Sequence, residues 1–151
     1  MNKAQLQSII DSDLQLKTHI LGVFAEDTIP LRIPVGPVGF IANIEQESRP
    51  GSHWVSFYVD SKRRGFFFDS FGRPPHHFSS RFYNFFVANE IPFIWNSVNL
   101  QDSRTNVCGQ YCIFCLSLLC RDWDLYSIIN IFSTDRLYND MYVYDFISSV
   151  Y

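Results

Sequence analysis

Cys108-Gly109-Gln110-Tyr111-Cys112-Ile113-Phe114-Cys115-Leu116-Ser117-Leu118-Leu119 decides how this chain is read. The run is apolar on nearly every side, so a helix made from it must be buried all round. A polar loop, residues 101–107, precedes it and sets its start near Cys108. Upstream, His53 to Val59 alternates as a strand does. His53, Val55, Phe57 and Val59 fall on one face, and Trp54, Ser56 and Tyr58 on the other. Asp60 to Gly65 reads as a charged hairpin connection, and Gly65 to Asp69 as the partner strand. A buried helix beside a hairpin predicts an α+β layer fold, with a central, mostly antiparallel sheet packed against helices.

The rest of the chain fits around that centre. Residues 3–11 read as a short helix with Leu6, Ile9 and Ile10 on one side, and residues 18–24 as extended. Ile29 to Pro37, with three prolines, is irregular. Gly39 to Ile44 is a strand, and Arg49-Pro50-Gly51 a turn. Residues 77–90 predict one helix with a stripe of Phe78, Phe82, Phe85 and Phe86. Phe93 to Leu100 predicts another strand, and residues 124–132 and 136–149 two further helices.

A length of 151 residues suits a single domain spanning 1–151. Hydrophobic content of 47% and aromatic content of 17% exclude a disordered chain. The net charge of −3 gives no general footprint for nucleic acid, and Lys62-Arg63-Arg64 reads as a solvated turn. No apolar stretch reaches the ~20 residues of a membrane span, and residues 1–15 lack the apolar core of a signal peptide. The expected setting is therefore intracellular and reducing. All four cysteines lie within 108–120. Cys108, Cys112 and Cys115 stack on one helix face, where backbone geometry suits a disulfide poorly. Cys112, Cys115 and Cys120 read as small buried hydrophobes. The spacing lacks a zinc pattern, so no metal or cofactor is expected.

Four residues carry chemistry in one order: His53, Asp69, Gln101 and Cys108. A cysteine attacks as thiolate, and a helix N-terminus with a nearby imidazolium favours that form. Cys108 opens the buried helix, and Gly109 beside it leaves room for a substrate backbone. His53 is placed to take the thiol proton and return it to a leaving amine. Asp69, brought near by the hairpin, would hold the imidazole; Asp60, at the other end, is the competing acid. Gln101 would donate its amide N–H to a developing oxyanion beside the Cys108 backbone N–H. The residues alone point to a cysteine peptidase.

These motifs resemble the adenovirus endopeptidase (adenain) family and its relatives, the SUMO-type proteases. The likeness lies in Gly51 to Trp54, Phe68 to Phe71 and the seven-residue step from Gln101 to Cys108-Gly109. It implies a papain-like geometry with His before Cys, and catalytic His53, Asp69 and Cys108 with Gln101 in the oxyanion hole. It further implies a substrate groove at Gly51, Trp54 and Gly109 that admits Gly near the scissile bond. The function it implies is that of a viral or virus-derived maturation protease, as in Polinton-like elements. Such an enzyme would work in the cytoplasm or nucleus of a host cell, or in a virion. No Cys precedes 108, so an activating peptide would have to bind non-covalently, and the acidic balance disfavours DNA as a partner. Deconjugation of a ubiquitin-like modifier is the alternative with the same chemistry, and an inactive binding module the alternative without it.

Overall fold

Alternation builds the centre of the sheet. A computed structural model describes all of residues 1–151. In β3 (Trp54–Val59), Val55, Phe57 and Val59 enter one apolar layer, while Trp54 and Tyr58 enter the other. In β4 (Gly65–Phe68), Phe67 joins the first layer and Phe66 and Phe68 the second. The two strands pair antiparallel. Asp60 closes their turn by accepting from the backbone N–H groups of Lys62 at 3.0 Å and Arg64 at 2.8 Å.

The sheet has five strands in the order β1-β2-β3-β4-β5. β2 (Val38–Asn43) runs antiparallel to β3, whereas β1 (Ile20–Phe24) lies parallel to β2 and β5 (Phe93–Trp95) parallel to β4. The antiparallel character expected from the sequence thus belongs to the centre. The outer strands arrive by crossovers, through residues 25–37 and 69–92, and a crossover delivers a parallel strand.

Helices cover both faces. On one, α3 (Pro75–Phe78) and α4 (Ser80–Ala88) bring Phe82, Phe85 and Phe86 onto Phe40, Phe57 and Phe67. Phe57 stacks on Phe40 at 4.5 Å and meets Phe67, Phe82 and Phe85 edge-on at 5.1–5.5 Å. Each such pair adds about 0.5–1.5 kcal/mol beyond area burial. On the other face, α5 (Cys108–Leu119) is buried as its composition requires. Around it lie α1 (Lys3–Ser12), α2 (Leu14–His19), α6 (Leu125–Ile129) and α7 (Arg136–Val150).

Three expectations change. The helix expected over 77–90 starts at Pro75 and is broken at Ser79, which is extended (φ −162°) and caps α4 by accepting from Arg81 N–H at 3.0 Å. Residues 14–19 form a helix, because Asp13 caps the N–H groups of Gln15 and Leu16, so the extended segment begins at Ile20. The strand from Phe93 ends at Trp95 rather than Leu100; Asn96 then turns to bind the chain after β4. No helix is long and apolar enough to cross a membrane.

Candidate active site

Cys108 is the first residue of α5, and Val107 before it supplies no side-chain cap. The leading N–H groups of such a helix have no intrahelical acceptor, and its positive end favours an anion. All four cysteines are free thiols. Cys112, Cys115 and Cys120 are buried, and burial pushes their thiols up, Cys120 to about 12. Cys108 behaves differently. Burial raises it as well, but the hydrogen bond and charge of His53, with the Trp54 backbone, outweigh burial and bring it down.

His53 is 7% exposed and lies just before β3. Its Nε2 meets Asp69 Oδ1 at 2.5 Å, leaving Nδ1 for the thiol. Continuing the strand register sets Asp69 across from Val55, so the contact with His53 is diagonal rather than directly opposite. Burial pulls the imidazole down, yet Asp69 and Cys108 raise it to about 9. A lowered thiol beside a raised imidazole favours a thiolate–imidazolium pair.

Asp69 is fully buried, and its carboxylate is held from two sides. Oδ2 accepts from Arg73 Nε at 2.8 Å and from Arg73 N–H at 3.0 Å. The Arg73 guanidinium also lies over the rings of Phe71 and Phe78, at 5.1 and 4.7 Å. Burial raises the Asp69 carboxyl, but His53 and Arg73 more than compensate, and it stays below the ordinary value. Asn96, also fully buried, clamps the backbone: its Oδ1 accepts from Asp69 N–H at 3.0 Å and its Nδ2 donates to Asp69 O at 2.6 Å. Asp60 lies at the far end of the hairpin, bonded to Arg64 Nε at 2.7 Å. Sequence reasoning missed both Arg73 and Asn96. Arg73 had a signal, as a cation four residues after the acid in a Gly-containing turn. Asn96 had none, because its role depends on β5 ending early.

Gln101 is 1% exposed and already engaged. Its Oε1 accepts from the Ser70 hydroxyl at 2.6 Å, and its Nε2 lies 3.1 Å from Thr105 O and 3.2 Å from Thr105 Oγ1. The amide is thus anchored beside the loop that leads to Cys108, with its donors facing Thr105.

A groove of about 380 Å³ reaches Cys108, lined among others by Met1, Asn43, Gly51, Trp54 and Asn106. His53 and Gln101 lie outside its lining. Gly51 has φ +85°, and a Cβ there would approach Asn43 Nδ2 to 2.7 Å. Trp54 is pinned by donating from its indole to Met1 O at 2.9 Å. Gly109 is closely surrounded. A Cβ there would meet Met1 at 3.2 Å, Leu6 at 3.3 Å and Trp54 at 3.5 Å. The absent side chain makes room for Met1, Leu6 and the indole, of which Met1 and Trp54 line that groove.

No family model matches the sequence, and neither does any curated protein. Solved structures do resemble the fold. ChlaDub1 from Chlamydia trachomatis is 15% identical with a TM-score of 0.53, over 97% of this chain and 76% of that one. The Chlamydia trachomatis effector protein Cdu1, solved bound to ubiquitin, is 16% identical with a TM-score of 0.52 over the same shares. The ASFV pS273R protease is 20% identical at a TM-score of 0.46, and covers 74% of this chain. The chain spans only 44% of that protease. At these identities the likeness to the two Chlamydia proteins is one of architecture: an α+β fold with a central sheet packed against helices.

Proposed function

We propose that this chain is a cysteine endopeptidase, with residues 1–151 forming one catalytic domain. The observation that carries the reading is His53, held by Asp69 and set against Cys108 at the start of α5. The Cys108 thiolate attacks the scissile carbonyl, and His53 protonates the leaving amine. Water, activated by the same imidazole, then hydrolyses the acyl-enzyme. Asp69 holds the ring and stabilises its charge. The Cys108 backbone N–H and the Gln101 amide receive the oxyanion, Gln101 giving up a contact with Thr105 as it does so. The groove walled by Gly51 and Trp54 leads an extended peptide to the sulfur. The substrates are proteins with Gly near the cut bond, processed inside a cell as in viral maturation, and any activating peptide acts non-covalently.

Deconjugation is the second reading. It is favoured by the likeness, over 97% of this chain, to an effector solved with ubiquitin bound. Turnover of a Gly-containing peptide library, set beside ubiquitin-like modifier probes, separates the two. Maturation-type activity cleaves peptides and ignores the probes; deconjugation does the reverse. Cys108→Ala removes either activity. Wild-type protein inert to both substrate sets, with Cys108 unreactive to a thiol-directed electrophile, overturns the peptidase reading.

A further inference from the structure

The last helix reaches back into the centre. Asp140, on α7, is 4% exposed, and its carboxylate accepts three donors. Oδ2 takes the Asp102 N–H at 3.1 Å and the Thr105 hydroxyl at 2.7 Å, and Oδ1 takes the Tyr111 phenol at 2.7 Å. Its neighbour Asn139 donates to Leu100 O at 3.2 Å. The two Oδ2 partners bracket the loop directly after Gln101. Thr105 turns both of its oxygens to Gln101 Nε2, Gln101 Oε1 takes the Ser70 hydroxyl, and Ser70 follows Asp69. One run of hydrogen bonds joins α7 to the turn that carries the acid.

We infer that Asp140 is a positioning residue for the Gln101 amide, holding the Thr105 hydroxyl and the 102–105 loop so that the amide stands ready for the oxyanion. The inference rests on the peptidase reading. A carboxylate accepts at all three contacts, and its charge draws both hydroxyl protons away from neutral carbonyls, Asp102 O at 3.0 Å from Thr105 Oγ1 and Leu100 O at 3.1 Å from Tyr111 Oη. Of the two acceptors, Oδ2 is the nearer at 2.7 Å, and a Thr105 hydroxyl that gives its proton there keeps its lone pairs for Gln101. A neutral amide of the same shape at 140 holds those protons less strongly, and a hydroxyl that meets its N–H must turn to its carbonyl, so the anchors on Thr105 and Tyr111 loosen.

The test compares Asp140→Asn, Thr105→Val and their combination with wild type. Turnover is counted per Cys108 titrated by an electrophile, and the Gln101 side-chain amide is followed by NMR, assigned with Gln101→Ala. We expect each single variant to lose tenfold or more in kcat with KM within twofold. The double variant should lose little more than either single one, and the Gln101 signals should shift in all three. Thr105→Ser, which restores the hydroxyl, should recover most of the rate. The pH dependence of Cys108 alkylation should not move, since His53 and Asp69 are untouched. Tyr138→Ala, on the exposed side of the same helix, serves as the control with unchanged turnover. Wild-type kcat per titrated site in Asp140→Asn, or unshifted Gln101 signals, overturns the inference, as does a loss seen only in melting temperature. If wild type is itself inactive and Cys108 unreactive, the peptidase reading has failed, and the Gln101 signals still decide whether Asp140 places that amide.

Discussion

Asp69 serves two cations at once. Arg73 draws on the same carboxylate that steadies His53, so it limits how strongly the imidazolium is held. Replacing Arg73 by Gln should raise His53 above its value of about 9 and move the alkaline limb of the pH–rate profile upward. A limb that stays or falls would show that Arg73 is not coupled to the pair. The Cys108 thiol lies below its ordinary range, so alkylation should persist under the pH at which a free cysteine loses reactivity, and Cys108 should label before Cys112, Cys115 or Cys120. Asp69→Ala should cost more than tenfold in turnover, while Asp60→Ala, bound only within its turn, stays near wild type. The approach of Asp69 to His53 was legible in the sequence because one hairpin joins their strands. The supporting residues were not: Arg73 and Asn96 act through contacts that exist only once β4, β5 and the turn after β4 are assembled.

At the scale of elements, the turn after β4 is where backbone and site meet. Gly72 has φ +79°, and a Cβ there would lie 2.6 Å from the Val98 carbonyl carbon. The turn needs glycine for both conformation and space. Asn96→Ala should be costly in another way, since it strands the buried N–H of Asp69, although Asp69 O keeps the Gly72 N–H at 2.7 Å. An unpaired buried group costs about 1–3 kcal/mol, and the loss should appear as a lower urea midpoint with an unchanged slope. A midpoint equal to wild type would mean that water replaces the amide. β3 and α5 were readable because alternation and an all-round apolar run are local signals. The break at Ser79 and the end of β5 at Trp95 were not, because a single capping hydroxyl and one side-chain clamp overrode patterns that continued past them.

At the scale of the whole molecule, charge placement bears on partners. Within Lys62-Arg63-Arg64, Arg64 is bonded to Asp60 and Arg63 donates to Asn89 O at 2.8 Å. Only the Arg64 charge is paired, and the two cations left in a chain of net charge −3 make a small patch for phosphates. DNA should therefore leave turnover of a Gly-containing peptide unchanged at low and at high salt. Strong, salt-sensitive stimulation would contradict this. The layers could be read from the sequence, but not the number of helices, since 14–19 and the break at Ser79 add two to the five expected. The reach of α7 across to the loop after Gln101 could not, because a buried Asp in a helix without a clear apolar stripe reads as ordinary surface.

The indole of Trp54 is fastened to Met1 O, and Met1 itself lines the groove. A polypeptide fused ahead of Met1 would begin its path beside the sulfur and act as a tethered competitor. Its presence should raise the apparent KM for peptides and leave kcat alone. Moving the same fusion to follow Tyr151 should restore the original KM, and a KM indifferent to the end chosen would show that the wall yields freely.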